Sequence, residues 1–388
     1  MAKKTDTLMI RTLELIALLG EATSDEIKKF SNSPSYAEKL ITSMKKDSYI
    51  KNYKSENKST YRLMLKGKKY LMDNLPEIFS EAFTGQKSMN RVRDDKRREE
   101  RRKKLADVLF LFHRADVKIF PDEKTLLKNT TVNTRTDTTD FTDEHRLEFY
   151  TSMEIKNIVP DYKKGIGSRA LGILIAFGKL YIVYSTSDGN MLWRKDIEKE
   201  FLTNTKGVLA RRLFGQDNGT YLLVLSDNKR VPSIIMQRKK RTGGKIHPSS
   251  DISNMIFALK DRNMDATLDL ILTGSEIPDK LKSIFESAYI PDKKHIDFDG
   301  VMIHRDKDAA GNHITSEDLG SFVFWFDLRK VMDAVFAAAE NNKKVTICCF
   351  DYQREYIEIF MKDLKQSDNS RIEILSDSIE GYVEDNHL

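Results

Sequence analysis

Apolar positions along the first 85 residues recur at helical intervals, broken by turn residues, and predict a small module of helices and one hairpin. Leu8, Leu13, Ile16 and Leu19 mark a first helix that Gly20 closes. Thr23-Ser24-Asp25-Glu26 has the form of a capping box, with Thr23 at the N-cap and Glu26 three positions on, and opens a short second helix. Asn32-Ser33-Pro34 supplies a turn, because proline suits the first position of the helix that follows. Ala37, Leu40, Ile41 and Met44 then share one buried helical face. Two β-rich runs, Tyr49 to Lys54 and Thr60 to Leu65, flank a polar turn and read as a hairpin. Lys66-Gly67 leads into a further helix ending near Leu75.

The polar positions of this module carry its chemistry. Ser35, Lys39, Thr42, Ser43 and Lys46 lie on the third helix opposite its apolar face. Small polar and cationic side chains in that arrangement can reach base edges and phosphates in a major groove. The hairpin adds Lys51, Lys54, Lys58 and Arg62. Helix plus basic hairpin is the layout of a winged helix-turn-helix, with double-stranded DNA as the expected partner and phosphate contacts giving salt-sensitive affinity. The plainer reading is a solvated basic face on an ordinary small domain.

Beyond the module the pattern changes twice. From Arg91 to Lys104, nine Lys or Arg stand against four acidic residues, and Leu105 to Phe112 is almost entirely apolar. This predicts a basic linker helix over 86–115, its first half in solvent and its second half plugged into a following domain. Residues 128–143 are rich in Thr, Asn and Asp and read as a loop. Strands are expected at Leu147–Lys156, on both sides of the turn Phe177-Gly178-Lys179, and at Tyr221–Leu225, with a helix over Ile197–Leu202. Arg238-Lys239-Lys240-Arg241, followed by Thr242-Gly243-Gly244, reads as a basic loop. After Phe322, apolar strands alternate with helices up to Ile372–Leu375, which argues a parallel βαβαβ arrangement covered on both faces. The expected class is α/β (α+β overall), with a module at 1–85, the linker helix at 86–115 and an α/β body at 116–388 that subdivides near 250.

Composition narrows the setting. The chain has 388 residues, 40% apolar and 32% charged, and a net charge of +6. It has no apolar run long enough to span a membrane, and Met-Ala-Lys-Lys-Thr-Asp lacks the apolar core of a signal peptide, so a cytoplasmic protein without a membrane partner is expected. Cys348 and Cys349 are adjacent within an apolar strand, which suits buried thiols rather than a disulfide or a zinc site.

No phosphate-binding Gly-Lys-Ser/Thr loop is present, Gly165-x-Gly167 is not continued as a dinucleotide fingerprint, and the seven histidines are scattered. One set does suggest catalysis. Asp122 follows a short strand-like run, and Glu154-Ile155-Lys156 is expected on a strand with Glu154 and Lys156 facing the same side. That is the residue set of PD-(D/E)xK nucleases, in which carboxylates hold a divalent ion and the lysine aids attack. A structural or exposed Glu/Lys pair is the plainer alternative. No cofactor is expected otherwise, and magnesium only if the nuclease reading holds.

The winged helix ending in Tyr61-Arg62-Leu63 and Lys66-Gly67 is one part of a wider pattern. With Phe149 to Lys156, Ser168-Arg169 and Gly172, Tyr181 to Tyr184, and Met191 to Trp193, the chain resembles the replication-relaxation proteins of plasmids and integrative conjugative elements. The resemblance implies binding to the DNA of a mobile element to assist replication, relaxation or conjugative transfer, together with other replication or transfer proteins. It also implies a body distantly related to the PD-(D/E)xK fold. Two alternatives stay open: a metal-dependent DNA nuclease, and a winged-helix transcriptional regulator whose α/β body senses a ligand or forms a homodimer.

Overall fold

A computed structural model describes residues 4–31, 33–55, 58–84, 96–125, 146–158, 168–186, 195–210, 220–237, 255–260, 302–304, 318–323, 331, 335, 336, 339, 344–377 and 381. It is a mixed α/β protein that divides into two compact units. The first comprises 1–132, 147–163 and 171–173; the second takes the remainder.

In the first unit, α1 (Lys4–Leu19) buries Leu13, Leu15, Ile16 and Leu18, and Gly20 ends it at φ 79°, a conformation natural to glycine. The two-residue strand β1 (Ala22–Thr23) leads straight into α2 (Ser24–Lys29). Both halves of the expected capping box are made: Thr23 Oγ1 accepts the Glu26 N–H at 3.2 Å, and Glu26 Oε2 accepts the Thr23 N–H at 2.8 Å. Helix α3 (Pro34–Lys46) starts on Pro34 and buries Ala37, Ile41 and Met44. Strands β2 (Ile50–Ser55) and β3 (Lys58–Leu63) pair antiparallel, and β1 adds to the outer side of β3, giving the order β1-β3-β2. Helices α4 (Leu65–Asn74) and α5 (Pro76–Thr84) follow. Gly67 is required where α4 crosses Tyr49, since a Cβ there would lie 2.4 Å from the Tyr49 carbonyl oxygen.

The expected linker helix differs from the one found. Helix α6 (Lys96–Arg114) belongs to the first unit and packs on α1. Val108, Leu109 and Phe112 are buried, and the Phe110 ring meets Phe30 at the end of α2 with centroids 5.8 Å apart. The basic half is not wholly in solvent either, because Arg102 is buried. The amphipathic face of α6 is thus partly polar, and its cationic member finds carboxylates on the start of α2. Strand β4 (Leu147–Thr151) lies alongside residues 117–119 through a parallel bridge from Lys118 to Glu148. Helix α7 (Ser152–Ile158) follows it directly.

Further strands are β5 (Gly172–Ala176), β6 (Lys179–Thr186), β7 (Thr220–Ser226) and β8 (Met255–Leu259), the last three adjacent in the order β6-β7-β8. Phe177 and Gly178 both take positive φ, 48° and 72°, as a two-residue primed turn between β5 and β6 requires. In the second unit, β6, β7 and β8 run parallel. The connection after β6 includes α8 (Lys195–Asn204) and a π-helical turn at Thr205–Ala210, and α9 (Val231–Gln237) follows β7. A second sheet has order β12-β11-β10-β9, built from β9 (Met302–His304), β10 (Asp318–Val323), β11 (Lys344–Cys349) and β12 (Ser370–Ile374). Its β10, β11 and β12 are parallel, with α10 (Asp351–Leu364) between the last two, as expected for the second half of the βαβαβ pattern, while most of the helix expected at Arg329 to Glu340 lies outside the described residues. Burial pushes the Cys349 thiol up to about 12, so it is a packing residue without thiolate character. The 128–143 stretch, Trp193 and the basic loop at 238–244 lie outside the described residues.

Candidate nucleic-acid interface

Helix α3 presents two faces of opposite chemistry. Ala37, Ile41 and Met44 point into the first unit, while Ser35, Lys39, Thr42, Ser43 and Lys46 are all exposed. At about 100° per residue, positions 35, 39, 42 and 46 form a single stripe centred opposite the buried one. The stripe and its flanks are ordered by local contacts. Thr42 Oγ1 donates to the Glu38 carbonyl at 2.9 Å, and Ser43 Oγ donates to Asp47 Oδ2 at 3.1 Å. Glu38 forms an ion pair with Lys28 of α2, which ties the two helices at their edge. Lys66 Nζ donates to the Asp47 carbonyl at 3.0 Å and covers the free end of α3. Lys39 within the helix and Lys46 at its last position carry positive charge along the stripe, and Tyr36 stands beside it, 38% exposed.

The hairpin adds a second surface. Lys51 is exposed and lies over the Tyr53 ring, 5.6 Å from its centroid. Arg62, directly across the ladder from Lys51, does not stand free as the sequence pattern suggested. Its Nε donates to Glu21 Oε2 at 2.7 Å and its guanidinium lies 4.4 Å from the Tyr53 centroid. The reason is Glu21, which sits just before β1 and also accepts the Thr60 hydroxyl at 3.2 Å. Lys54 and Lys58 occupy the expected strand ends, but their side chains lie outside the described residues.

The carboxylates expected to form a catalytic set are placed differently. Residues 152–158 are helical, so Glu154 and Lys156 are not on a strand, and two steps along a helix turn by about 200° and separate their faces. The cause is a second capping box: Thr151 Oγ1 accepts the Glu154 N–H at 3.3 Å and Glu154 Oε2 accepts the Thr151 N–H at 2.7 Å. Glu154 Oε1 meets Lys124 Nζ at 2.6 Å, and that ammonium also donates to the Phe149 carbonyl at 2.9 Å. Asp122 is held by another cation, with its Oδ1 2.6 Å from Arg11 Nη1, while Glu123 takes Arg11 Nη2 at 2.6 Å. Asp122 and Glu154 therefore serve two separate ion pairs. The side chain of Lys156 lies outside the described residues. No group of three or more His, Cys, Asp or Glu placed to hold a metal ion occurs among the described residues.

Several polar residues that the linear pattern did not single out organise these elements. Arg102 Nη1 reaches both oxygens of Glu26, at 2.8 and 2.6 Å, and its Nε lies 3.8 Å from Glu21 Oε1. Glu14 of α1 is fully buried. Its Oε1 accepts the Asp122 N–H at 3.3 Å, whereas Oε2 is 3.9 Å from Arg11 and has no hydrogen-bond partner. Burial, reinforced by the nearby Asp122 charge, lifts the Glu14 carboxyl from 4.5 to about 8. In the second unit, Glu198 is a buried hub that accepts Ser168 Oγ at 2.8 Å, the Arg169 N–H at 2.7 Å and the Tyr184 hydroxyl at 2.8 Å. Its oxygens are met by donors, as a structural carboxylate requires. Arg169, its backbone pinned there, is exposed.

The chain matches no protein-family model, no curated protein and no solved structure. No helix among the described residues is long and apolar enough to cross a membrane.

Proposed function

We propose that the first unit carries a winged helix that binds double-stranded DNA, with α3 as the recognition helix and β2–β3 as the wing. The observation that carries this reading is the exposed stripe of Ser35, Lys39, Thr42 and Lys46 on a helix whose other face is fully committed to the core. Cations along such a stripe meet phosphates, and short hydroxyl side chains beside them allow close approach to base edges. Lys51 and Tyr53 on the hairpin extend the contact to a neighbouring stretch of backbone. The biological setting that fits best is service to a mobile genetic element, at replication initiation, relaxation or transfer. It is supported by the resemblance of Tyr61 to Leu63, Phe149 to Lys156, Ser168-Arg169 and Tyr181 to Tyr184 to replication-relaxation proteins.

Lysine footprinting of the intact chain tests the assignment. Acetylation read by mass spectrometry, with and without duplex DNA, should show protection of Lys39, Lys46 and Lys51. Exposed Lys103 on α6 serves as the internal comparison. Protection confined to lysines outside α3 and the hairpin would overturn the interface.

A further inference from the structure

Of the cations described on the basic run of α6, Arg102 is the one that is buried, whereas Lys96, Arg98 and Lys103 are exposed. It is buried against two carboxylates with defined structural duties. Glu26 closes the capping box that starts α2, so its Oε2 already takes the Thr23 N–H while both its oxygens receive Arg102 Nη1. Glu21 holds the base of the hairpin through Arg62 Nε and Thr60 Oγ1, and Arg102 stands 3.8 Å away on its other oxygen. Arg102 Nη1 also approaches the Glu21 carbonyl at 3.5 Å. Two guanidiniums and two carboxylates thus form a neutral, mostly buried chain from α6, through the starts of β1 and α2, to β3.

A network of this kind contributes little net stability, since removing four charged groups from water offsets most of their attraction. What it does supply is geometry. Nη1 of the planar guanidinium fork holds both Glu26 oxygens and approaches the Glu21 carbonyl, while Nε, without a hydrogen bond, stands 3.8 Å from Glu21 Oε1, so one buried group places the entry of α2 beside the base of the hairpin. We infer that Arg102 is a positioning residue for the DNA-reading surface, holding α3 and the wing in register from a helix that lies outside the reading module. This rests on the DNA-binding reading above. It has a direct consequence: the functional unit extends through α6, and a fragment ending near residue 85 loses the partner of Glu26.

The test uses the full chain, a fluorescent mixed-sequence duplex, and affinity measured over a range of salt at a temperature where each variant is folded by circular dichroism. The salt slope counts phosphates neutralised, and on duplex DNA it falls by about 0.9 for each phosphate that the protein no longer neutralises. A merely structural role lowers affinity through the folded fraction and leaves that slope unchanged. Arg102→Gln should weaken binding by about tenfold and reduce the slope by about one, because recognition helix and wing no longer engage together. Arg102→Lys retains the charge without the fork and should fall between wild type and Arg102→Gln. If Arg102→Gln does not fold, Arg102→Lys decides, a reduced slope supporting the inference and a wild-type slope overturning it. Wild-type binding with unchanged slopes in folded Arg102 variants defeats the clamp alone. Failure of the wild type to bind duplex at all defeats the DNA reading and the clamp with it.

Discussion

Glu14→Gln should make the first unit more stable at neutral pH and remove a pH dependence that the wild type carries. Glu14 is fully buried on α1, with one oxygen on the Asp122 N–H and the other without a hydrogen-bond partner. Burial and then the Asp122 charge raise its carboxyl from 4.5 to about 8, against the opposing pull of Arg11 and Lys124. In the unfolded chain the same group releases its proton near the ordinary value. Between 4.5 and about 8 the folded state therefore holds one more proton than the unfolded state, and stability must fall as pH rises through that window. Below it both states are protonated, and above it both are ionised, so the slope vanishes on either side. Each pH unit inside the window is worth about 1.4 kcal/mol, so going from about pH 5 to about pH 7.5 costs the wild type on the order of 3 kcal/mol. Glutamine keeps the shape and the acceptor for the Asp122 N–H but has no proton to gain. Hydrogen exchange of the core amides of α1, Leu13 to Leu18, provides the assay, because the ratio of variant to wild-type protection cancels intrinsic exchange. That ratio should rise by about two orders of magnitude from about pH 5 to about pH 7.5. A ratio independent of pH would show that Glu14 is ionised in the folded protein and would refute the reasoning.

Four further outcomes are expected. Leu109→Asp places an unpaired charge at a fully buried position of α6 and should destabilise the first unit by several kcal/mol, read by chemical denaturation; a change under about 1 kcal/mol would contradict the packing of that helix. Gly67→Ala sets a methyl 2.4 Å from the Tyr49 carbonyl oxygen and should lower the melting temperature, with wild-type stability contradicting the close crossing of α4. Glu154→Ala strips the cap of α7 and leaves Lys124 buried without its carboxylate, costing about 3 kcal/mol or more. Supercoiled plasmid with magnesium or manganese should stay uncut by the wild type, and nicking that disappears in Glu154→Gln would reinstate Asp122 and Glu154 as catalytic groups.

Helices α1 to α4 of the first module were legible because their signals are local, whereas α5, which starts at Pro76, was not expected. A capping box, a proline at the first turn and an uninterrupted i, i+3, i+4 series all act within a few residues. The parallel sheet near the C-terminus was legible for the same reason, although β10 begins at Asp318, before its apolar stretch, because its ladder with β11 extends that far. Residues 147–156 misled because Phe149, Thr151, Met153 and Ile155 alternate like a strand, and this masked the Thr151-x-x-Glu154 signature that turns the chain into α7. Other misses are of longer range. Nothing in a run of nine cations marks Arg102 as the buried one, since its partner Glu26 lies 76 positions earlier. Likewise, Arg62 reads as a free wing cation until the fold brings Glu21 to it from 41 residues away. At the site, the exposed face of α3 followed from periodicity alone, whereas the charge pairing around it depended on tertiary contacts.

The central claim is that α3 binds DNA, and charge reversal on its exposed stripe addresses it most directly. Lys39→Glu combined with Lys46→Glu converts two attractions beside phosphate into two repulsions without touching a buried contact. The full-length double variant, compared with wild type on the same duplex in the same salt, should keep its fold and lose most of its affinity, while wild-type affinity drops steeply as salt rises. Equal binding by the double variant and the wild type would contradict the account.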